Sequence, residues 1–150
     1  MNARVRMECR HYPGRPSPGP AVFATLPRRH PAKGLWAGSL RGGVVDSITT
    51  YELAALLKRD PGSVLLLDVR EADERAIACI RPSKHIPMDS VPDRLDQLPR
   101  DRRIVVFCHH GGRSYTVAAY LESEGFRAVT NLTGGIDDWA RSVDSSVPRY

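Results

Sequence analysis

The stretch CHHGGRS, Cys108 to Ser114, puts a thiol, two imidazoles, two glycines, a guanidinium and a hydroxyl into consecutive positions. A free thiol is mostly protonated at neutral pH and the thiolate is the nucleophile, so a reactive cysteine needs surroundings that favour its anion. Three features here supply them. The thiol closes the apolar run RIVVFC, and a helix is predicted to begin near Arg113, where unpaired N–H groups and the helix dipole attract negative charge. Gly111 and Gly112 allow backbone angles closed to other residues, so successive amides can curl into a nest around an anion. Arg113 adds a permanent cation whose forked donors suit oxyanions. These residues predict an anion-binding cradle with Cys108 as nucleophile at its base. His109, His110, Gly111, Gly112 and Arg113 form its wall, the imidazoles helping to set its charge near neutral pH, and Ser114 follows where the helix is entered.

Strands and helices must hold this loop in place. ITTYELAALLKRDPG reads as a helix, with Thr49 three residues before Glu52 as a capping box, Leu53, Leu56 and Leu57 at helical spacing, and Pro61-Gly62 as its stop. SVLLLDVR and RIVVFC are short uninterrupted apolar runs, the pattern of strands buried on both faces in a parallel sheet. Between them AIACIRPSKHIPM is expected to give one or two weaker strands broken at Pro82 and Pro87, followed by a short helix over VPDRLDQLP. RSYTVAAYLESEGF is a helix stopped at Gly125, AVTNL a further strand, and GGIDDWARSV a last helix with Asp137 and Asp138 at its positive end. Strands alternating with helices imply an α/β layered domain with a mainly parallel sheet, in which ligands lie beyond the carboxyl ends of the strands. Cys108 stands at such an end.

Length and charge bound the rest. The chain has 150 residues, 41% hydrophobic and 26% charged, enough for one domain with its own core. Its net charge of +5 is uneven: residues 1–45 carry eight basic groups and one acid, the remainder fourteen basic groups and sixteen acids. That first stretch also holds six of the twelve prolines and six of the twelve glycines, which reads as a tail with no continuous apolar face. A basic tail can serve an anionic surface, nucleic acid or organelle import, can be inert, or can reflect a start assigned too far upstream; no role is assigned to it. No apolar run is long enough to span a bilayer, and three irregularly spaced cysteines, Cys9, Cys79 and Cys108, argue against a disulfide framework. The expectation is a soluble cytoplasmic protein with no membrane or nucleic-acid partner.

CHHGGRS, taken with LLDVRE, HIPM and NLTGGIDDW in that order, resembles the single-domain rhodaneses, a family of sulfurtransferases; VDSSVPRY strengthens the likeness, which covers about residues 46–150. Many members read GHIPGA where this chain has ACIRPSKHIPM, without the glycines. The resemblance implies a three-layer rhodanese-like domain, a mainly parallel central sheet flanked by helices. It also implies a ping-pong reaction in which Cys108 takes sulfane sulfur from thiosulfate or a persulfide donor and passes it to cyanide or a thiol acceptor, which can be a sulfur-carrier protein. No cofactor or metal is implied. Asp68 and Arg70, ending the first strong strand, take supporting roles, Asp68 restraining Arg113 or the loop amides.

Other readings stand beside this one. Cys108 alone could be a buried strand-end cysteine, Asp68 and Arg70 a structural ion pair, and Trp139 a core anchor. Cys79, between Ala78 and Ile80, is expected in the core, with a role as a resolving thiol left open. Zinc at His109 and His110 is disfavoured because adjacent side chains diverge and no paired ligand spacing accompanies them. Cysteine phosphatases and arsenate-handling enzymes use a similar Cys…Arg loop one residue longer, and a non-catalytic partner-binding module on the same fold is a further alternative.

Overall fold

The computed structural model describes residues 44–150; the basic tail, apart from Val44 and Val45, lies outside the described residues. Five strands and four helices alternate: β1 Ser47–Ile48, α1 Thr50–Arg59, β2 Val64–Asp68, α2 Ala72–Ile77, β3 Lys84–His85, β4 Arg103–Phe107, α3 Gly112–Ser123, β5 Val129–Leu132 and α4 Gly135–Ser142. The strands form one sheet in the order β1-β5-β4-β2-β3, and every pairing is parallel.

Side-chain alternation along the two central strands divides the core. Leu65 and Leu67 of β2, with Ile104 and Val106 of β4, join Val117, Ala118 and Leu121 of α3 on one face. Val64 and Leu66, with Val105 and Phe107, join Leu53 of α1 and Ile136, Trp139 and Ala140 of α4 on the other. All five residues of β2 are buried, which is why Val64 to Leu67 are apolar without interruption and why the charge of Asp68, at the strand's end, needs partners. Trp139 is the core anchor expected of it, and Val45 is already buried in the α3-side cluster. Among the described residues no helix is long and apolar enough to cross a membrane.

Helix α1 has its Thr49–Glu52 capping box and ends at Asp60, just before Pro61-Gly62. Gly125 takes φ +85 after α3, the left-handed stop expected there. The segment between β2 and β4 departs from expectation. Ala76 and Ile77, read as part of a strand, belong to α2, whose start is fixed by a reciprocal cap between Glu71 and Glu74. Only Lys84–His85 pairs as strand, with Arg81–Pro82 in the cis form just before it. The short helix expected after Pro87 is two 3-10 turns, Met88–Ser90 and Pro92–Gln97, the second kinked at Arg94. Cys79 is half-buried rather than core, since its neighbours Ala78 and Ile80 take the inward positions.

Candidate active site

Cys108 directly follows β4 and only 2% of its surface is exposed. The thiol is free. Its sulfur meets two polar groups: the Gly111 N–H donates to Sγ at 3.1 Å, and the Ser114 hydroxyl lies 3.4 Å away. Ser114 is fully buried, with Oγ 3.1 Å from the Gly111 carbonyl and 2.7 Å from Oδ1 of Asn131 on β5. A hydroxyl has one proton and serves one acceptor at a time. Turning from Asn131 to the sulfur would give an anion a second donor. Asn131 was not singled out in the sequence, where it reads as one polar residue at the end of an apolar strand.

The two loop glycines differ in kind. Gly111 takes φ +110, which strains any other residue, and a Cβ there would sit tightly, 3.3 Å from the Leu132 carbonyl oxygen. Gly112 has no positive φ, starts α3, and has open space where a Cβ would stand. The expectation that both glycines curl the loop is therefore corrected: Gly111 alone makes the turn. The sulfur likewise receives one main-chain donor rather than a ring of them, and the cradle is closed over it.

The rest of the loop is clamped from behind. At the start of α4, the Ile136 N–H donates to the Cys108 carbonyl at 2.9 Å and the Asp137 N–H to the His109 carbonyl at 3.1 Å. These bonds need the main chains to approach closely at Gly135, which has φ +58; a Cβ there would fall on the Cys108 and His109 backbones, 2.6 Å from the His109 carbonyl carbon. Free amides at the start of a helix are thus used to fix the Cys108 loop.

Arg113 does not reach for Asp68. Its Nη1 and Nη2 donate to Glu74 Oε2 and Oε1 at 2.6 and 2.7 Å, a two-pronged pair between α3 and α2. The Arg113 bonds hold the Glu74 carboxyl at a pKa of about 2, against some opposition from burial, and raise that of Arg113 in turn. Asp68 is fully buried and bonds Arg70 through both oxygens, at 2.9 and 2.6 Å, and Arg75 at 3.1 Å. The structural ion pair is therefore present, and the role expected of Asp68 toward Arg113 belongs to Glu74. The Arg70 guanidinium also donates to the carbonyls of Ala78 and Glu74 and to the hydroxyl of Tyr150. His85, of the HIPM stretch, sits with Nε2 2.7 Å from the Arg70 carbonyl, and the Ile86 and Met88 amides bond the carbonyls of Asp68 and Val69, tying the end of β2 in place.

His109 and His110 do not diverge. Their rings stack with centroids 4.0 Å apart and 16° between planes, and His109 stacks in turn on Tyr150 at 4.3 Å. Burial, then the neighbouring His110, lowers the pKa of His109. Ligand atoms of His109, His110 and Asp137 come within 4.8 Å of one another. Nearly parallel rings 4.0 Å apart cannot both aim an in-plane lone pair at one ion, however, and Asp137 is paired with Arg149 at 2.9 Å. As placed, the imidazoles form the outer wall of the loop on the α4 side rather than a chelate.

The sequence and the fold have counterparts among known proteins. The family described as the rhodanese-like domain matches residues 49–142. A protein of Allochromatium vinosum named sulfurtransferase is 40% identical over 98 residues, 65% of this chain and 91% of its own. The thiosulfate sulfurtransferase GlpE of Stutzerimonas stutzeri is 35% identical over 89 residues, 59% of this chain and 81% of its own. Among solved structures, the rhodanese-like domain protein from Staphylococcus aureus aligns at a TM-score of 0.62 with 33% identity, covering 71% of this chain and 99% of that one. With the family match spanning residues 49–142 and these relatives covering the same region, this chain belongs to the rhodanese-like domain proteins.

Proposed function

We propose that the protein transfers sulfane sulfur through a persulfide on Cys108. The observation that carries this reading is the polar face built onto one otherwise buried sulfur, the Gly111 amide at 3.1 Å and the Ser114 hydroxyl at 3.4 Å, at the mouth of α3. In the first half-reaction the thiolate attacks the outer sulfur of thiosulfate; the S–S bond breaks and sulfite leaves with its electron pair. Cys108 is left as a persulfide, its terminal sulfur carrying the charge. In the second, cyanide or an acceptor thiolate attacks that terminal sulfur and the Cys108 thiolate is restored. Arg113 favours the anionic donor, and the Gly111 amide with the Ser114 hydroxyl favours the negative charge that moves between sulfurs. Names of similar proteins support the class of reaction: one is a sulfurtransferase, another a thiosulfate sulfurtransferase. A protein thiol, including that of a sulfur carrier, is the acceptor class that best fits a reaction needing no metal or organic cofactor, and a reducing compartment such as the cytoplasm suits a free thiol.

Thiosulfate:cyanide transfer by the wild type and by Cys108→Ser tests this. The wild type is expected to turn over and to gain the mass of one sulfur atom on thiosulfate alone, and the variant to do neither. Hydrolysis of an aryl phosphate without sulfur transfer would replace this reading with the phosphatase one; partner capture without turnover of any sulfur donor would replace it with a binding module.

A further inference from the structure

Tyr150 lies 42 positions beyond Cys108 in the chain, yet it touches three groups around the sulfur loop. Its hydroxyl accepts from Arg70 Nη1 at 2.7 Å and donates to Glu74 Oε1 at 3.1 Å, while its ring stacks on His109. Burial raises its pKa, against the opposing pull of Arg70, so the phenol keeps its proton and remains a donor at neutral pH. The segment leading to it is pinned: Val147 is buried, and Arg149 bonds Asp137 at 2.9 and 3.4 Å. Glu74 Oε1, which takes the Tyr150 hydroxyl, also takes Arg113 Nη2 at 2.7 Å. A continuous chain of hydrogen bonds thus runs from buried Arg70 through Tyr150 and Glu74 to Arg113.

We propose that Tyr150 is a positioning residue for the donor step: its hydroxyl fixes the Glu74 carboxylate, and through it the Arg113 guanidinium, at the angle that receives an anionic sulfur donor. The proposal rests on the sulfurtransferase reading. Arg113 is the loop's one permanent cation, and its side chain is 37% exposed against 18% for Glu74. Glu74 keeps its bonds from the Glu71 amide and from Arg113, so loss of the Tyr150 hydroxyl frees its Oε1 side and lets the carboxylate, with the paired guanidinium, shift about those anchors. Arg70 would keep its carbonyl and Asp68 partners, so the strand end is not undone. Contacts of the sulfur itself, from Gly111 and Ser114, do not pass through Tyr150. Loss of the hydroxyl should therefore weaken capture of the donor and leave the attack by Cys108 intact once the donor is bound.

Tyr150→Phe keeps the ring on His109 and removes the hydroxyl alone. In steady-state thiosulfate:cyanide transfer with the full chain, its KM for thiosulfate is expected to rise about three- to tenfold, the worth of one charge-assisted hydrogen bond acting at one remove, with kcat within about twofold. Tyr51→Phe, at a residue 66% exposed on α1, is the unchanged control. In a Glu74→Ala background the effect of Tyr150→Phe is expected to shrink below about twofold, because the path to Arg113 is already cut. Calorimetric titration of thiosulfate into Cys108→Ser, with and without Tyr150→Phe, reads the same loss without turnover. An unchanged or lower KM, a fall in kcat alone, or an equal loss with Glu74 absent would each overturn the proposal. A wild type that moves no sulfur would sink the sulfurtransferase reading instead and leave Tyr150 to be decided by the titration.

Discussion

Gly135 supplies the most direct test of how the nucleophile's loop is held. Its replacement by alanine meets three costs at once. A side chain at φ +58 costs about 1–2 kcal/mol. Its Cβ would press on the Cys108 and His109 main chains, which cannot swing aside as a side chain can, and forced overpacking of this kind costs typically about 1–3 kcal/mol. Separation of the two segments would lose the Ile136 and Asp137 amide bonds to the Cys108 and His109 carbonyls, each worth about 0.5–1.5 kcal/mol. The total, about 3–8 kcal/mol, is a large part of the 5–15 kcal/mol or so that stabilises a domain of this size. Urea melts followed by circular dichroism measure it, and cyanolysis of the sulfur-loaded protein at low denaturant reads the loop itself. Gly112→Ala is the matched control, one glycine of the same cradle whose Cβ would meet open space at the start of α3. It is expected to leave stability unchanged or to raise it by up to about 1 kcal/mol. Gly135→Ala with a midpoint and a sulfur-transfer rate matching the wild type would refute the view that α4 clamps the loop.

Two further outcomes follow from the surroundings of the site. Asp68→Ala leaves the fully buried Arg70 charge without its carboxylate and should lower stability by about 3–5 kcal/mol in the same melts, whereas Arg149→Ala, at an exposed pair, should leave the midpoint nearly unchanged. The lowered pKa of His109 means the unfolded chain binds its proton more readily than the native one. Its contribution to stability is complete above the ordinary value of 6.5 and is lost as pH falls from there through the native value. Imidazole resonances followed against pH should place the His109 midpoint below 6.5, and His110→Ala should move it upward.

The loop and the strand that carries it could be read from the sequence because their physics is local. A strand covered on both faces needs a run of apolar residues, and Val64 to Leu67 and Ile104 to Phe107 supply one each, with charge only at the strand ends, at Asp68 and Arg103; a turn of φ +110 favours glycine, and Gly111 is there. Helix α2 left no such trace. None of its residues is buried, so it has no apolar stripe, and its only signal is the Glu71–Glu74 cap, easily read as a charged loop. The partners of Arg113 were beyond reach for another reason. Glu74 stands 39 positions from Arg113 and Tyr150 stands 76 from Glu74, and nothing in local spacing chooses Glu74 over Asp68 as the carboxylate that arrives. The stacking of His109 on His110 is likewise set from outside, by the loop's attachment to α4 and by the Tyr150 ring.

Strand order explains why these distant groups meet around one sulfur. From β2 the chain moves outward to β3 on one side of the sheet's centre, and from β4 it moves outward to β5 on the other. The segments leaving the carboxyl ends of these adjacent strands therefore part company, and an open parallel sheet forms its crevice at such a reversal. The β2 side brings Arg70 and, through α2, Glu74; the β4 side brings Cys108, Gly111 and Arg113. The Arg113–Glu74 pair spans the crevice, and Tyr150 enters it from beyond α4 to touch both Arg70 and Glu74. A sulfur only 2% exposed beneath these groups is shielded from adventitious oxidants. The sulfur transfer proposed for Cys108 would then draw its cysteine and its cation from one side of the reversal, and the carboxylate that holds the cation from the other.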